Sequence, residues 1–533
     1  MAGMRLPGRA RWAGLGLFCV SLAVGCGACV RKAPVISCGP YLQSPGLTQV
    51  SVMWTSDLLA EGLVRWGLAG RAADQEMKVK PTEFGYSTAA EKRDVKLEEL
   101  PAGERARAYL YEARITGLAP GSAYRYVVEF AGRRTEGQLM TFPEKPVPFT
   151  FIAFSDTHAA DVVAANFAQH GPAFLINSGD LVDREDYAEY RQFFSEAVKA
   201  ATGRIPMFVA RGNHDQTGAM LARIFSLPPD RLYYSFDYAN AHFVCLDSCL
   251  WRWPDGEEKV RAMLEWCERD LQASKADWKI VFFHEPPYDL SYRRTDWGRE
   301  QAMPVFRRCG VDLIFCGHAH AYQRFGPLFW PGQNDQHPIM LVISAGGSSK
   351  YIAKPGRAEP HLAVRRGDDN YVVCRVEGQK LTARALTSQG VEIDAFTIAK
   401  RNGRLDPAYL AQAMPEETFG KIERALAELR VPKVPIEEGE EFAIELTLEA
   451  GSEAIAFDIR PSEPSAKAVE LVAPATGAVA ANGNAVVNVQ LRARTAITKQ
   501  EKGSRAQPAV VLECHYQAGG RKGVVSSTPA TVK

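Results

Sequence analysis

Five short apolar runs in this 533-residue chain each end in side chains that bind metals or move protons. Phe149–Phe154 leads into Asp156-Thr157-His158, Ala173–Ile176 into Gly179-Asp180, and Ile205–Val209 into Gly212-Asn213-His214-Asp215. Lys279–Phe283 leads into His284, and Val311–Phe315 into Gly317-His318-Ala319-His320. Runs of this length, rich in β-branched and aromatic residues, predict buried strands, and open α/β sheets gather their sites at strand carboxyl ends. The pattern therefore predicts one site assembled from five separate segments. If the backbone stays extended, both members of Asp156-x-His158 and of His318-x-His320 turn to one side, so each pair faces a shared cluster.

A lone histidine is ordinarily a satisfied structural residue, but five of the ten histidines here fall inside these motifs. Imidazole, carboxylate and carboxamide donors suit zinc, manganese or iron, and no Cys-x-x-Cys pattern beyond the amino-terminal Cys26-Gly27-Ala28-Cys29 suggests a zinc ribbon. Two cations roughly 3.5–4 Å apart, joined by a bridging carboxylate, acidify a water and clamp a phosphoryl group. The residue set thus points to hydrolysis of phosphate esters at a dinuclear centre.

With these motifs the chain resembles the calcineurin-like metallophosphoesterases. It resembles more narrowly their purple acid phosphatase branch, through Gly39-Pro40-Tyr41-Leu42-Gln43, Val50–Trp54, His284-Glu285-Pro286-Pro287-Tyr288 and Gly317–Arg324. The likeness covers roughly residues 36 to 398. It implies that Asp156, His158 and His320 hold a first metal, that Asn213, His284 and His318 hold a second, and that Asp180 bridges them. It further implies that His214 stays unligated and donates a proton to the leaving group, with Asp215 orienting its ring. The cofactor expected is two divalent or mixed-valence ions, zinc, manganese or iron.

The chain departs from the purple enzymes at one position. Their Gly-Asp-x-x-Tyr reads Gly179-Asp180-Leu181-Val182-Asp183 here, and His158 stands where they lack a histidine. An Asp/His/His first site without phenolate predicts no purple charge-transfer band. Asp183 reads either as an outer-sphere partner or as a solvated loop carboxylate. His214 follows a proposed ligand directly, so its ring reaches a leaving group without joining the coordination sphere. Tyr288, Tyr322 and Arg324 follow ligand motifs and are candidates to line the substrate mouth.

At 533 residues the chain is too long for one core. It reads as a multidomain α/β and β protein. Residues 36–147 form an N-terminal β-sandwich resembling fibronectin type III domains, with Trp54 in its core, and residues 148–398 a four-layer αββα metallophosphoesterase domain. Residues 399–533 form a helix near 415–429 followed by a C-terminal β-sandwich serving as spacer, docking module or brace, with Glu513 and His515 as surface polars. The segment 257–274 carries Val260, Met263, Leu264 and Leu271 at helical spacing.

Lys and Arg number 63 against 62 Asp and Glu, so no global basic field indicates a nucleic-acid partner. Residues 1–30 read as an export signal, with arginines ahead of an apolar stretch. Ala23-Val24-Gly25-Cys26 resembles a bacterial lipoprotein signal, which implies lipidation of Cys26 and a periplasmic or cell-surface location. Eleven cysteines are scattered rather than framed, and Cys249 with Cys267 is a candidate disulfide. The function expected is an exported phosphomonoesterase acting on a small phosphorylated substrate. The alternatives are a phosphodiesterase or nucleotidase with the same metals, and a surface-binding protein with a vestigial metal core.

Overall fold

The computed structural model describes residues 36–87, 105–228, 230–289, 297–328, 337–347, 362–406 and most of 421–532. The export signal and Cys26 lie outside the described residues, as does most of the stretch 415–429.

Two sheets packed face to face form the centre of the molecule. The first runs in the order Met207–Val209, Phe174–Asn177, Phe149–Phe154, Tyr371–Glu377, Lys380–Leu386, Glu392–Arg401 and Arg404–Leu405. Its first three strands are parallel. The second sheet holds the parallel set Ala241–Cys245, Trp278–Phe282, Leu313–Cys316 and Ile339–Ser344. These parallel strands are buried on both faces, which is why they read as unbroken apolar runs.

Alternation distributes each strand between two cores. Phe149, Phe151 and Ala153 point into the layer between the sheets, while Ile152 and Phe154 face the outer layer. Phe151 meets Phe174 of its own sheet at 5.6 Å, and Phe243 and Phe315 of the facing sheet at 5.2 and 6.0 Å. Helices cover both outer faces. Gly256–Ala273 buries Val260, Met263, Leu264, Cys267 and Leu271 against Val244, Val281 and Ile314. Tyr187, Tyr190 and Val198 cover Leu175 and Val209 on the other side. The result is the expected αββα stack.

Strands within residues 38–87 and 105–140 form a sandwich of two four-stranded sheets around Trp54, which stacks on Tyr111 at 4.9 Å. The Gly39–Gln43 motif faces the catalytic layers: the Tyr41 hydroxyl donates to the Ile224 carbonyl at 2.6 Å and Gln43 Nε2 to that of Met207 at 3.0 Å.

The C-terminal strands also form two layers, but one is not a separate sheet. Arg521–Ser526 pairs in parallel with Leu362–Arg366, so the second catalytic sheet continues through Leu512–Ala518, Ile455–Pro461 and Ala475–Val479 to eleven strands. Glu513, expected at the surface, is buried and holds Arg366 Nη1 at 2.9 Å and His515 Nε2 at 3.0 Å. Cys249 and Cys267 are free thiols rather than a disulfide, buried in separate packing environments.

Candidate metal centre

The five motifs occupy turns after the strands that precede them, and both sheets deliver them to one place. The extended backbone expected within the motifs is not what brings the side chains together. Asp156, His158, Asp180, His318 and His320 have φ of 58°, 47°, 54°, 69° and 46°, a left-handed conformation that costs non-glycine residues about 1–3 kcal/mol each. Five such residues at one spot mark a backbone bent to aim its side chains. Two glycines permit the close approach: a Cβ on Gly212 would stand 2.1 Å from Asp180 Oδ1, and one on Gly317 would stand 2.1 Å from Ser155 Oγ.

Among the described residues, two groups of candidate ligand atoms share Asp180, and a third joins His158, Asp183 and His214 beside the first. In the first, His320 Nε2 lies 3.3 Å from His158 Nε2 and 3.4 Å from Asp156 Oδ1, with His158 Nε2 4.0 Å from the same oxygen. In the second, His284 Nε2 lies 3.1 Å from Asn213 Oδ1, 3.1 Å from Asp180 Oδ2 and 3.2 Å from His318 Nδ1. Ligands bound at about 2.0–2.2 Å around one cation stand roughly 3.0–3.5 Å apart, so both groups fit. Asp180 belongs to both of these, together with Asp156, His158 and His320 on one side and with His284 and His318 on the other. Asp156, His158, Asp180, His284 and His320 are buried, whereas Asn213 and His318 are half-buried.

Outer partners fix the rings. His284 Nδ1 donates to the Ser178 carbonyl at 2.9 Å, which leaves Nε2 for a cation. His158 Nδ1 meets Asp183 Oδ1 at 2.8 Å, a contact that can orient the His158 ring. Ser155 Oγ donates to Asp156 Oδ2 at 2.5 Å, and the His318 amide bonds both Asp156 oxygens at 3.1 and 3.0 Å. Burial works against the Asp180 carboxylate, yet the imidazoles of His284, His214 and His158 hold its carboxyl below the usual range. Burial likewise opposes charge on His284, but Asp180, Asp156 and Glu285 push it up to about 10. The pocket is thus anionic enough to hold a proton tightly, and a cation must displace that proton.

His214 sits beside the first group, its ring at 88° to that of His158 with centroids 4.9 Å apart. Its amide donates to Asp180 Oδ1 at 2.8 Å and its Nδ1 to the Asp183 carbonyl at 2.9 Å. The ring-orienting role expected of Asp215 therefore falls to Asp183. Asp215 instead accepts from the amides of Asp180 and Gly212 at 3.0 and 2.8 Å and from the Tyr190 hydroxyl at 3.3 Å, tying two ligand loops together. Burial and the charge of Asp180 push its carboxyl up to about 7.

The three residues expected at the substrate mouth are not there, because packing and charge pairing claim them. Tyr322 is fully buried with its hydroxyl on Asp394 at 2.7 Å, and Arg324 grips the same carboxylate at 2.6 and 3.1 Å. Tyr288 is buried among apolar side chains, with the Arg299 guanidinium 4.7 Å from its ring. Tyr190, Ser155 and Glu285 were not singled out from the sequence, although Ser155 and Glu285 adjoin motif residues and could have been flagged on that ground.

Residues 149–322 match the family model of the calcineurin-like phosphoesterases. Purple acid phosphatase 15 of Arabidopsis thaliana is 23% identical over 295 residues, covering 46% of this chain and 54% of the relative. Probable inactive purple acid phosphatase 1 of the same plant is 24% identical over 422 residues, covering 66% and 67%. The chain spans about half to two thirds of the length of these curated relatives. The structure of a purple acid phosphatase from yellow lupin (Lupinus luteus) seeds shares the fold with a TM-score of 0.55 at 18% identity, covering 68% of this chain and 74% of the other. Residues 149–322 thus carry a calcineurin-like phosphoesterase domain, in which the strand ends of two sheets converge on a shared carboxylate. The relatives it matches beyond that domain model include purple acid phosphatases, to which the chain is similar at 23–25% identity.

Proposed function

We propose that this chain hydrolyses small phosphate monoesters at a dinuclear metal centre. Asp180, shared by two ligand groups with spacings of 3.1–4.0 Å, is the observation that carries the reading. Asp156, His158 and His320 would hold one cation, Asn213, His284 and His318 the other, and Asp180 both. Bound there, the pair supplies an acidified water and charge neutralisation for the phosphoryl oxygens.

The chain's own residues do the rest. His214, held through Nδ1 by the Asp183 carbonyl, keeps Nε2 to carry the proton that the departing alkoxide takes up. The Asp215 and Ser155 hydrogen bonds keep the ligand loops in their left-handed turns. Since position 183 is Asp and its carboxylate is on His158, iron-loaded protein should show no intense visible band. The chain is also proposed to be exported and lipid-anchored at Cys26, on the strength of its amino-terminal sequence; mass spectrometry of the mature terminus tests this.

Metal analysis of purified protein, combined with turnover of monoester, diester and nucleotide substrates by wild type and Asp180→Asn, tests the function. Two metals per chain and monoester turnover lost in the variant are expected. A protein that takes up metal at neither group would end the reading, and faster turnover of diesters would replace monoesters as the substrate class.

A further inference from the structure

The metal ligands account for the phosphoryl group but not for what is attached to it. The side chain of Glu285, the residue after the ligand candidate His284, is fully buried, and it ties the short turn Leu250–Arg252 to the segment that carries His284. Trp251 Nε1 donates to Glu285 Oε2 at 2.5 Å, and Arg252 grips Oε1 through Nε at 2.8 Å and through Nη2. The Arg252 guanidinium also lies 4.9 Å from the centroid of the Trp251 ring.

Trp251 nonetheless stays 45% exposed. An exposed indole on a loop is ordinarily mobile, whereas this one is pinned at its nitrogen by a buried carboxylate and covered on one face by a cation. A rigid flat ring binds a ligand ring with little ordering cost.

We infer that Trp251, positioned by Glu285 and Arg252, stacks on the organic group of the substrate and directs this site to aryl and other flat aromatic phosphate esters. The inference rests on the phosphoesterase reading above. It makes Trp251 a specificity-determining residue and leaves Arg252 and Glu285 as positioning residues.

Calorimetric binding of phenylphosphonate and methylphosphonate to metal-loaded protein, with turnover of phenyl phosphate and glycerol phosphate, tests it in wild type, Trp251→Ala and Trp251→Phe. Loss of the ring should weaken phenylphosphonate and raise KM for phenyl phosphate roughly ten-fold. Methylphosphonate binding, glycerol phosphate KM and kcat on both esters should hold. Trp251→Phe, which keeps a flat face but loses the Nε1 hydrogen bond to Glu285, should restore the aryl preference only in part. Equal losses for both ligands, or an unchanged preference, would overturn the inference. If neither ester turns over while the phosphonate selectivity still follows Trp251, the platform stands and the phosphoesterase reading falls.

Discussion

Asp183 serves two histidines at once, its carboxylate on His158 Nδ1 and its carbonyl on His214 Nδ1. The two links separate cleanly by mutation. Asp183→Ala removes the first and keeps the second, so metal affinity should fall about 10–100-fold while kcat at saturating metal survives, as titration against a chelator followed by assay would show. His214→Ala should do the reverse, lowering kcat roughly 10²–10⁴-fold with metal content intact; metal loss in that variant would show that His214 is a ligand. At this scale the proposed ligands were legible because metal chemistry restricts residue type and the motifs are contiguous. Their partners were not: Tyr190 meets Asp215 across 25 positions and Asp183 meets His158 across the same span, and no local pattern announces such pairs.

The strands were legible because burial on both faces leaves continuous apolar runs, and Gly256–Ala273 because its apolar positions recur at helical spacing. The turns between them were not. Whether Asp156 and His158 lie in an extended or a left-handed backbone depends on contacts such as the His158 amide to the Asp180 carbonyl at 3.2 Å, made between loops. Element junctions carry a pH signature too. His242 on Ala241–Cys245 is clamped between Asp237 at 2.7 Å and Asp270 of the long helix at 2.9 Å. Burial disfavours its charge, but the two carboxylates win and push it up to about 9. A folded-state value above the unfolded ~6.5 means the stabilisation is complete below that pH and is lost as pH rises through about 9. The melting-temperature gap between wild type and His242→Gln should therefore be widest near pH 6, shrink as pH rises above about 6.5, and be largely gone by about 9.

At the scale of the whole molecule, the C-terminal strands brace the ribbon that follows the last ligand motif. Tyr322–Leu328 begins two residues after His320 and pairs with Leu362–Arg366, which in turn pairs with Arg521–Ser526. Breaking the buried Arg366–Glu513 pair by Glu513→Gln should cost about 3 kcal/mol in urea melts. Removing residues 399–533 should abolish metal retention along with soluble folding, whereas a mere spacer could be removed without either effect. The amino-acid sequence by itself determined which donors are present, the strand that precedes each of them, and the family they resemble, because these are matters of residue type and short-range periodicity. Only the tertiary structure decided that Asp215 ties loops rather than turning a ring, that Tyr322 and Arg324 belong to Asp394, and that the last domain extends the catalytic sheet. Those outcomes rest on pairings between residues far apart in the chain, where the winning partner is chosen by packing and desolvation rather than by neighbours in sequence.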